Sequence, residues 1–407
     1  MSKKRLLICG VGSWMSNSLK DISDLWLDLI VINNYIDENI LNYSVLALQC
    51  YPRSIDEVIE CINKHDINNI DWVISLWYEN LPVIAEIVEK FKLIWLSKTD
   101  AYNCTYKDYR IKIFSKNGIK TPKFVIAKWL KDSIIWVKEI WFPCVIKPND
   151  KTSSIWVIKL EGDENIEKFI LESLKNSNTE TIIIEELLSW TEHTFEGVVY
   201  DDNIIITWIS DRNYSQKEKY APYFFEDGDT LPSILSQWKI KEIISVIEKW
   251  IKVLNLNNTA FHCDIMITNK WEIILLEMVW RISWARFWTE IVKLSTGIDI
   301  LPSVVRFALW EEICMDELKK TQNKAVVLRY LVAKPWRIEF IGSLEHVKKM
   351  KWIYDIMREQ ELKVGDYLNQ YNNWKDTLVS VIAYWDTVQE AENYANEALK
   401  NIPIEIF

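Results

Sequence analysis

An apolar strand that ends in a lysine, with a turn of small polar residues behind it, is built to hold phosphate. Phe142-Pro143-Cys144-Val145-Ile146-Lys147-Pro148 is such a strand, and Asn149-Asp150-Lys151-Thr152-Ser153-Ser154-Ile155-Trp156-Val157 is the turn and the start of a return strand. Backbone N–H groups of the turn can close over an anion while the ammonium neutralises its charge. Standing alone, Lys-Pro before a serine-rich turn is ordinarily just a hairpin. Two carboxylates follow later, Asp264 in Phe261-His262-Cys263-Asp264 and Glu277 in Leu275-Leu276-Glu277-Met278. Acids on neighbouring strands can face the same way and share a hard cation such as Mg²⁺. Buried without a partner they would be costly, which favours a metal or an arginine beside them. Arg281 and Arg286 come next in the chain and offer forked donors for phosphate or carboxylate. His193 and His262 could act as bases, although single histidines beside strands are ordinarily structural. Asp211-Arg212-Asn213-Tyr214 ends a strand ahead of an acidic, aromatic stretch, Tyr220 to Asp229, and reads equally as a substrate-facing loop or an ordinary surface loop.

These residues need a scaffold, and the hydropathy pattern supplies one. Residues 6–9, 29–32, 45–48 and 73–76 read as strands, with helices at 55–63 and 82–91, the alternation of a parallel α/β sheet. Its first turn, Gly10-Val11-Gly12-Ser13-Trp14, suits close approach of backbone to a ligand. A dinucleotide fold would place an acid near residues 33 to 35, where Asn33-Asn34-Tyr35 stand instead, so a sheet-packing turn is the better reading. A helix at 106–117 is stopped by Gly118 and Pro122. Strands then come in pairs, 144–147 with 155–160, 194–200 with 204–209, and 259–268 with 272–278, which predicts small antiparallel α+β sheets. A helix at 240–254 carries Ile243, Ile244, Ile247, Ile251 and Leu254 at core spacing. Strands at 325–332 and 378–384 and a helix at 388–400 predict a small α+β closing domain.

The composition bounds the partners. The 407 residues are 49% hydrophobic and 26% charged, enough for several cores, and the net charge of −10 argues against nucleic acid. The seven cysteines are dispersed and never in a C-x-x-C pair, which speaks against a disulfide framework or zinc site and for a reducing cytoplasm. No apolar run is long enough to predict a signal peptide or a membrane span. One count is abnormal: 22 tryptophans against nine glycines. The two together come to an ordinary glycine complement of about 7%. Tryptophans also stand where glycine belongs, as in Asn269-Lys270-Trp271-Glu272 and Lys334-Pro335-Trp336-Arg337. This pattern predicts that UGA codons meaning glycine have been read as tryptophan, at positions including 14, 156, 190, 271, 280, 284 and 288. Overpacked sites of this kind should show positive φ or exposed rings at turns.

Taken in order, the motifs resemble the ATP-grasp superfamily over about residues 100 to 310. Lys107 stands eleven residues before Gly118-Ile119-Lys120-Thr121-Pro122, as a first nucleotide lysine does, and Lys147 matches the second. The resemblance implies a phosphate lid including Ser153, Ser154 and Trp156. It implies an adenine hinge at Glu185-Glu186-Leu187-Leu188, with Glu185 accepting from the amine and Leu188 offering backbone. Glu192 then stands at the ribose, Leu276 in the nucleotide pocket, and Asp264 and Glu277 on Mg²⁺ (or Mn²⁺). Many members carry Asn two residues after the second acid; Val279 stands here, so the number of metals stays open. With glycines read at 280, 284 and 288, the stretch 278–288 is similar to the L-amino-acid ligase and carboxylate–amine ligase branch. The implied architecture is an α/β and α+β multidomain chain. It comprises an N-terminal α/β domain (1–98), an ATP-grasp domain (99–322, lid about 122–188) and a C-terminal α+β domain (323–407). The implied activity is ATP-dependent ligation of a carboxylate to an amine through an acyl phosphate. Arg281 and Arg286 are the catalytic candidates, the partners are small molecules, and a homodimer is open to the chain. A biotin-carboxylase-like enzyme and an ATP-binding module without turnover are the alternatives.

Overall fold

In the computed structural model, residues 3–12, 18–75, 78–140, 142–152, 154–162, 165–188, 190–283, 286–332, 335–369, 371–372 and 376–406 are described. Four parallel strands open the chain, β1 (Lys4–Cys9), β2 (Leu27–Asn33), β3 (Leu46–Gln49) and β4 (Trp72–Ile74), in the order β3-β2-β1-β4. Their near-continuous apolar runs are explained by burial on both faces. Leu7, Cys9, Ile30 and Ile32 pack under the helices Ile55–Lys64 and Leu81–Phe91, through Val58, Ile62, Ile84 and Val88. Leu6, Ile8, Leu29 and Val31 face the other way, onto Leu301, Val305 and Phe307 of a much later helix, Leu301–Ala308. The N-terminal sheet is thereby docked on the rest of the chain through its own core.

The second sheet is antiparallel, with β5 (Phe124–Ala127), β6 (Cys144–Pro148), β7 (Ile158–Leu160) and β8 (Ile182–Glu186) in the order β5-β8-β6-β7. The helices Leu130–Ile140 and Ile166–Asn176 cover it through Val137, Ile166 and Ile170. β7 is shorter than its apolar run suggests. Residues 152–157 form successive turns instead, with Ile155 N–H donating to Thr152 O at 3.1 Å and Val157 N–H to Ser154 O at 3.2 Å.

The remaining paired strands do not make separate small sheets. They join one antiparallel sheet of eight, β13-β12-β9-β10-β11-β14-β17-β16. Its members are β9 (Trp190–Tyr200), β10 (Asn203–Asn213), β11 (Gly228–Leu231), β12 (Thr259–Thr268), β13 (Ile273–Val279), β14 (Ala325–Val332), β16 (Ile353–Arg358) and β17 (Thr377–Trp385). A two-stranded ribbon pairs β15 (Ile338–Ile341) with β18 (Ile404–Ile406). The helix Gln237–Val253 backs the sheet with Ile243, Ile247 and Ile251 against Phe195, Phe261 and Ile265, a core role as its spacing predicts. The expected boundary at 323 has no counterpart in the sheet, because β11 pairs directly with β14, Asp229 opposite Leu328. Gly228 allows that junction: its φ is +133°, and a Cβ there would fall 1.9 Å from Leu328 O.

Five tryptophans, Trp26, Trp156, Trp271, Trp310 and Trp352, have φ between 57 and 66° or, for Trp310, 55°, a conformation that glycine and asparagine normally fill. Trp310 occupies the left-handed position that ends the helix Leu301–Ala308. Its N–H donates to Phe307 O at 3.1 Å and that of Glu311 to Arg306 O at 3.0 Å, a Schellman pattern that favours glycine. Trp271 closes the β12–β13 hairpin and is two-thirds exposed. Trp280 and Trp288 depart from the expectation, since neither has positive φ; both are buried, with indole N–H groups lacking a partner. Trp14 and Trp284 lie outside the described residues, as does the side chain of Trp190. Replacing Trp271 or Trp310 by glycine is expected to raise unfolding stability by about 1 kcal/mol each, read from the urea midpoint, because the left-handed penalty disappears. For the recoding itself, intact mass of the protein from its own host is expected to lie below that of the sequence as written. Equality of the two masses removes the idea.

Candidate functional site

A cavity of about 460 Å³ opens where the three sheets meet. Tyr51, Arg53, Tyr78 and Glu79 enter it from loops after β3 and β4, at the carboxyl ends of the parallel strands, where α/β sheets place ligands. These loops are cross-tied: Asn80 Nδ2 donates to Cys9 O at 3.0 Å and to Pro52 O at 2.9 Å. Gly10 and Val11 belong to the same tie, neither they nor Gly12 are among the cavity-lining residues, and Ser13 and Trp14 of that turn lie outside the described residues. Asn33 Oδ1, standing where a dinucleotide fold needs an acid, accepts from Val11 N–H at 3.1 Å, and Tyr78 packs directly over Gly10.

Lys107, Lys147, Ser154, Glu185, Leu188, Glu192 and Leu276 all line the cavity. Lys107 starts the helix Lys107–Lys116, and Asn149 fixes that start against the β6 turn by accepting from Lys107 N–H at 3.2 Å and, through Oδ1, from Asp108 N–H at 2.8 Å. The Lys107 ammonium donates to Lys151 O. Burial pulls its pKa below the usual lysine value, against the opposing attraction of Glu277. Lys147 Nζ lies 2.5 Å from Glu185 Oε2 across β6 and β8. Glu192 is pushed up to about 7 by burial, with Arg212 opposing, and accepts from Tyr214 Oη at 3.0 Å. Ser153 lies outside the described residues. Trp156 is not in the wall; its ring packs edge-on to Tyr223, 6.4 Å between centroids, in the core of the second sheet.

Asp264 on β12 and Glu277 on β13 are register partners and both reach the cavity. Among the described residues no group of three or more His, Cys, Asp or Glu is arranged to hold a metal. Two carboxylates suit Mg²⁺ nonetheless, because it is commonly held by one or two acids together with substrate phosphates. Burial would raise the Asp264 pKa, but Arg212 and His262 overcome it and hold the carboxyl below its ordinary range. Its Oδ2 lies 2.8 Å from Arg212 Nη2, and its Oδ1 accepts from Thr194 Oγ1 at 2.8 Å.

Arg281 lines the cavity, pairs with Glu79 through Nη2 and donates from Nη1 to Ile282 O at 2.9 Å. Arg286 is placed elsewhere. It is not among the cavity-lining residues and lies over β16 and β17, 2.7 Å from Glu290 and 2.6 Å from Asp355 on β16, so the geometry does not support the expected catalytic role. The reading from sequence missed Glu79 and left Arg212 in a segment that read equally as a substrate-facing loop or a surface loop. Arg212 sits on β10, which runs four residues beyond its apolar run, and the alternation of Ser210 and Arg212 on one face was the available signal. Of the two histidines, His193 is paired with Asp211 at 2.6 Å, while His262 lines the cavity beside Asp264.

Residues 140–283 match the ATP-grasp domain family. Phosphoribosylamine–glycine ligase of Clostridium acetobutylicum is 24% identical over 177 residues, 41% of this chain and 42% of that protein. D-alanine–D-alanine ligase B of Clostridium perfringens is 26% identical over 179 residues, 43% of this chain and 57% of that protein. Alanine–anticapsin ligase of Bacillus subtilis is 26% identical over 237 residues, 53% of this chain and 49% of that protein. The chain thus spans about half the length of the curated relatives it matches. The fold is shared over 100% of this chain and 99% of the other with L-amino acid ligase from Bacillus licheniformis, at a TM-score of 0.81 and 19% identity. Biotin carboxylase from Campylobacter jejuni superposes at 0.68 with 14% identity, covering 99% of this chain and 92% of that one. Residues 140–283 thus match an ATP-grasp domain, and the chain as a whole shares its fold with L-amino acid ligase.

Proposed function

We propose that the protein is an ATP-dependent carbon–nitrogen ligase that joins a carboxylate to an amine through an acyl phosphate, with release of ADP and phosphate. The observation that carries this reading is the single cavity holding two lysines, two register-paired carboxylates and Arg281, closed on one side by Glu79 of the N-terminal sheet. Lys107 and Lys147 hold the phosphates. Glu185, Leu188, Glu192 and Leu276 form the nucleoside wall, and Asp264 and Glu277 take Mg²⁺. Arg281 faces the transferring phosphoryl group or the acyl phosphate. Such chemistry asks for positioning and charge neutralisation more than for a covalent role of the protein. Amino-acid-like substrates suit the N-terminal wall, which offers an arginine (Arg53), an acid (Glu79) and two tyrosines. A carboxylase would use bicarbonate and a biotinyl carrier instead, and a binding module would release no ADP.

Incubation with Mg-ATP and pools of amino acids, followed by ADP release and product mass, separates these readings. Amino-acid-dependent ADP release with a condensed product is expected. Glu277→Gln is expected to abolish it with the fold retained, and full activity in that variant removes the metal role. Arg281→Ala is expected to abolish it too, and to lose about 3–5 kcal/mol because Glu79 is left buried and unpaired.

Two binding and stability measurements probe the walls. Lys107→Met and Lys147→Met are each expected to weaken Mg-ATP binding about tenfold or more in calorimetry, the value of a hydrogen bond to a charged group. For Glu192, a folded pKa near 7 against 4.5 unfolded means tighter proton binding in the fold. Its contribution is complete below pH 4.5 and lost as pH rises through 7. Glu192→Gln is expected to flatten that loss in the ligand-free protein, and an unchanged stability–pH curve removes the assignment.

A further inference from the structure

Asp264 has no free oxygen in the cavity. Oδ2 faces Arg212 Nη2 at 2.8 Å, and Oδ1 accepts from Thr194 Oγ1 at 2.8 Å with His262 Nε2 3.2 Å away. Arg212 is itself held from several directions. Its Nη1 pairs with Glu226, its Nε donates to Thr194 Oγ1 at 3.0 Å, and Glu192 lies 3.5 Å from Nε. One guanidinium therefore serves three cavity-lining acids, and it can give up one of them without becoming an unpaired buried charge. A hard divalent cation needs a carboxylate oxygen at about 2.0–2.1 Å, a place a guanidinium hydrogen bond already fills, and two cations on one oxygen repel.

We infer that Arg212 is a built-in counter-ion: it holds Asp264 while the cavity is free of metal, and yields Asp264, keeping Glu226, when a divalent cation is bound. It is a positioning residue, and the inference rests on the assignment of Asp264 and Glu277 as the metal ligands. Two consequences follow from the contacts. Arg212 weakens metal binding by having to be displaced, and it stabilises the metal-free fold by compensating Asp264, Glu226 and Glu192. A residue with a merely structural role would weaken metal binding when removed.

The test is Mn²⁺ binding by electron paramagnetic resonance to the full chain, with a non-hydrolysable ATP analogue present, in the wild type, Arg212→Met and Arg212→Lys. Arg212→Met is expected to bind Mn²⁺ about tenfold more tightly, the loss of one charge-assisted hydrogen bond, and to have a lower melting temperature that Mn²⁺ restores. Arg212→Lys keeps the charge but cannot reach Asp264, Glu226 and Thr194 at once, so it is expected to bind Mn²⁺ several-fold more tightly than the wild type. That variant remains informative if Arg212→Met does not fold. Unchanged or weaker Mn²⁺ affinity in Arg212→Lys overturns the inference. Mn²⁺ binding by neither the wild type nor the variants overturns the metal assignment, and the inference falls with it.

Discussion

The ion pair between Arg281 and Glu79 fixes the N-terminal sheet to the end of the strand that carries Glu277, across 202 residues of sequence. Glu79 follows β4 and is next to Asn80, which ties the ends of β1 and the loop after β3. Arg281 comes four residues after Glu277. Burial would drive the Glu79 carboxyl toward its neutral form, yet Arg281 keeps its pKa below the ordinary range, so both groups stay charged in a buried place. Losing either partner leaves the other uncompensated, at a cost of about 3–5 kcal/mol. The positions of Tyr51, Arg53 and Tyr78 relative to Asp264 and Glu277 depend on this one contact and on the apolar docking of Leu6 and Ile8 over Val305 and Phe307.

Inside the cavity, charge is balanced before any ligand arrives. Lys147 is matched to Glu185, Arg212 to Asp264 and Glu226, Arg281 to Glu79, and the buried Lys107 ammonium feels Glu277. Such a site resists a lone anion or a lone cation, since either would strand a buried partner. On the proposed function, a polyphosphate and a divalent cation entering together would exchange each internal pair for an external one, phosphate at the lysines and cation at the acids. Such an arrangement would, on the same proposal, favour the metal–nucleotide complex over its parts.

Most of the frame was legible because periodicity and burial coincide. The strands at 259–268 and 325–332 and the helix at 388–400 were read to the residue, since each is a predominantly apolar run or a helical stripe. Lys147 was legible because it follows an apolar run, and Asp264 and Glu277 because a charge inside an apolar strand is conspicuous, whereas Lys107 was reached only through the resemblance. Arg212 and Glu79 were hidden by the opposite circumstance. Arg212 lies in a polar extension of β10 that is held as strand by β11, with Arg212 opposite Asp229, and Glu79 belongs to a loop whose partner is distant in sequence. Arg286, close to Arg281 in sequence, lies apart from it in the fold, beside Asp355.

The continuity of the large sheet gives the C-terminal segment a part in the site that a separate domain would not have. β11 is only four residues long and follows the aromatic stretch Tyr220–Phe225, yet its pairing with β14 extends the sheet that carries Asp264 and Glu277 into β14 and β17. Tyr330 at the end of β14, Tyr371 and Thr377 at the start of β17 reach the same cavity as Asp264 as a result. Tyr371 packs edge-on against Phe225 and Tyr220, with centroids 4.7 and 5.5 Å away, so this wall is stiffened by ring contacts with the chain that leads from Arg212 to Glu226. A ligand filling this end therefore meets, on one rigid frame, residues from all three parts of the chain, and a shift of the C-terminal strands changes the shape of the pocket without touching the lysines or the acids.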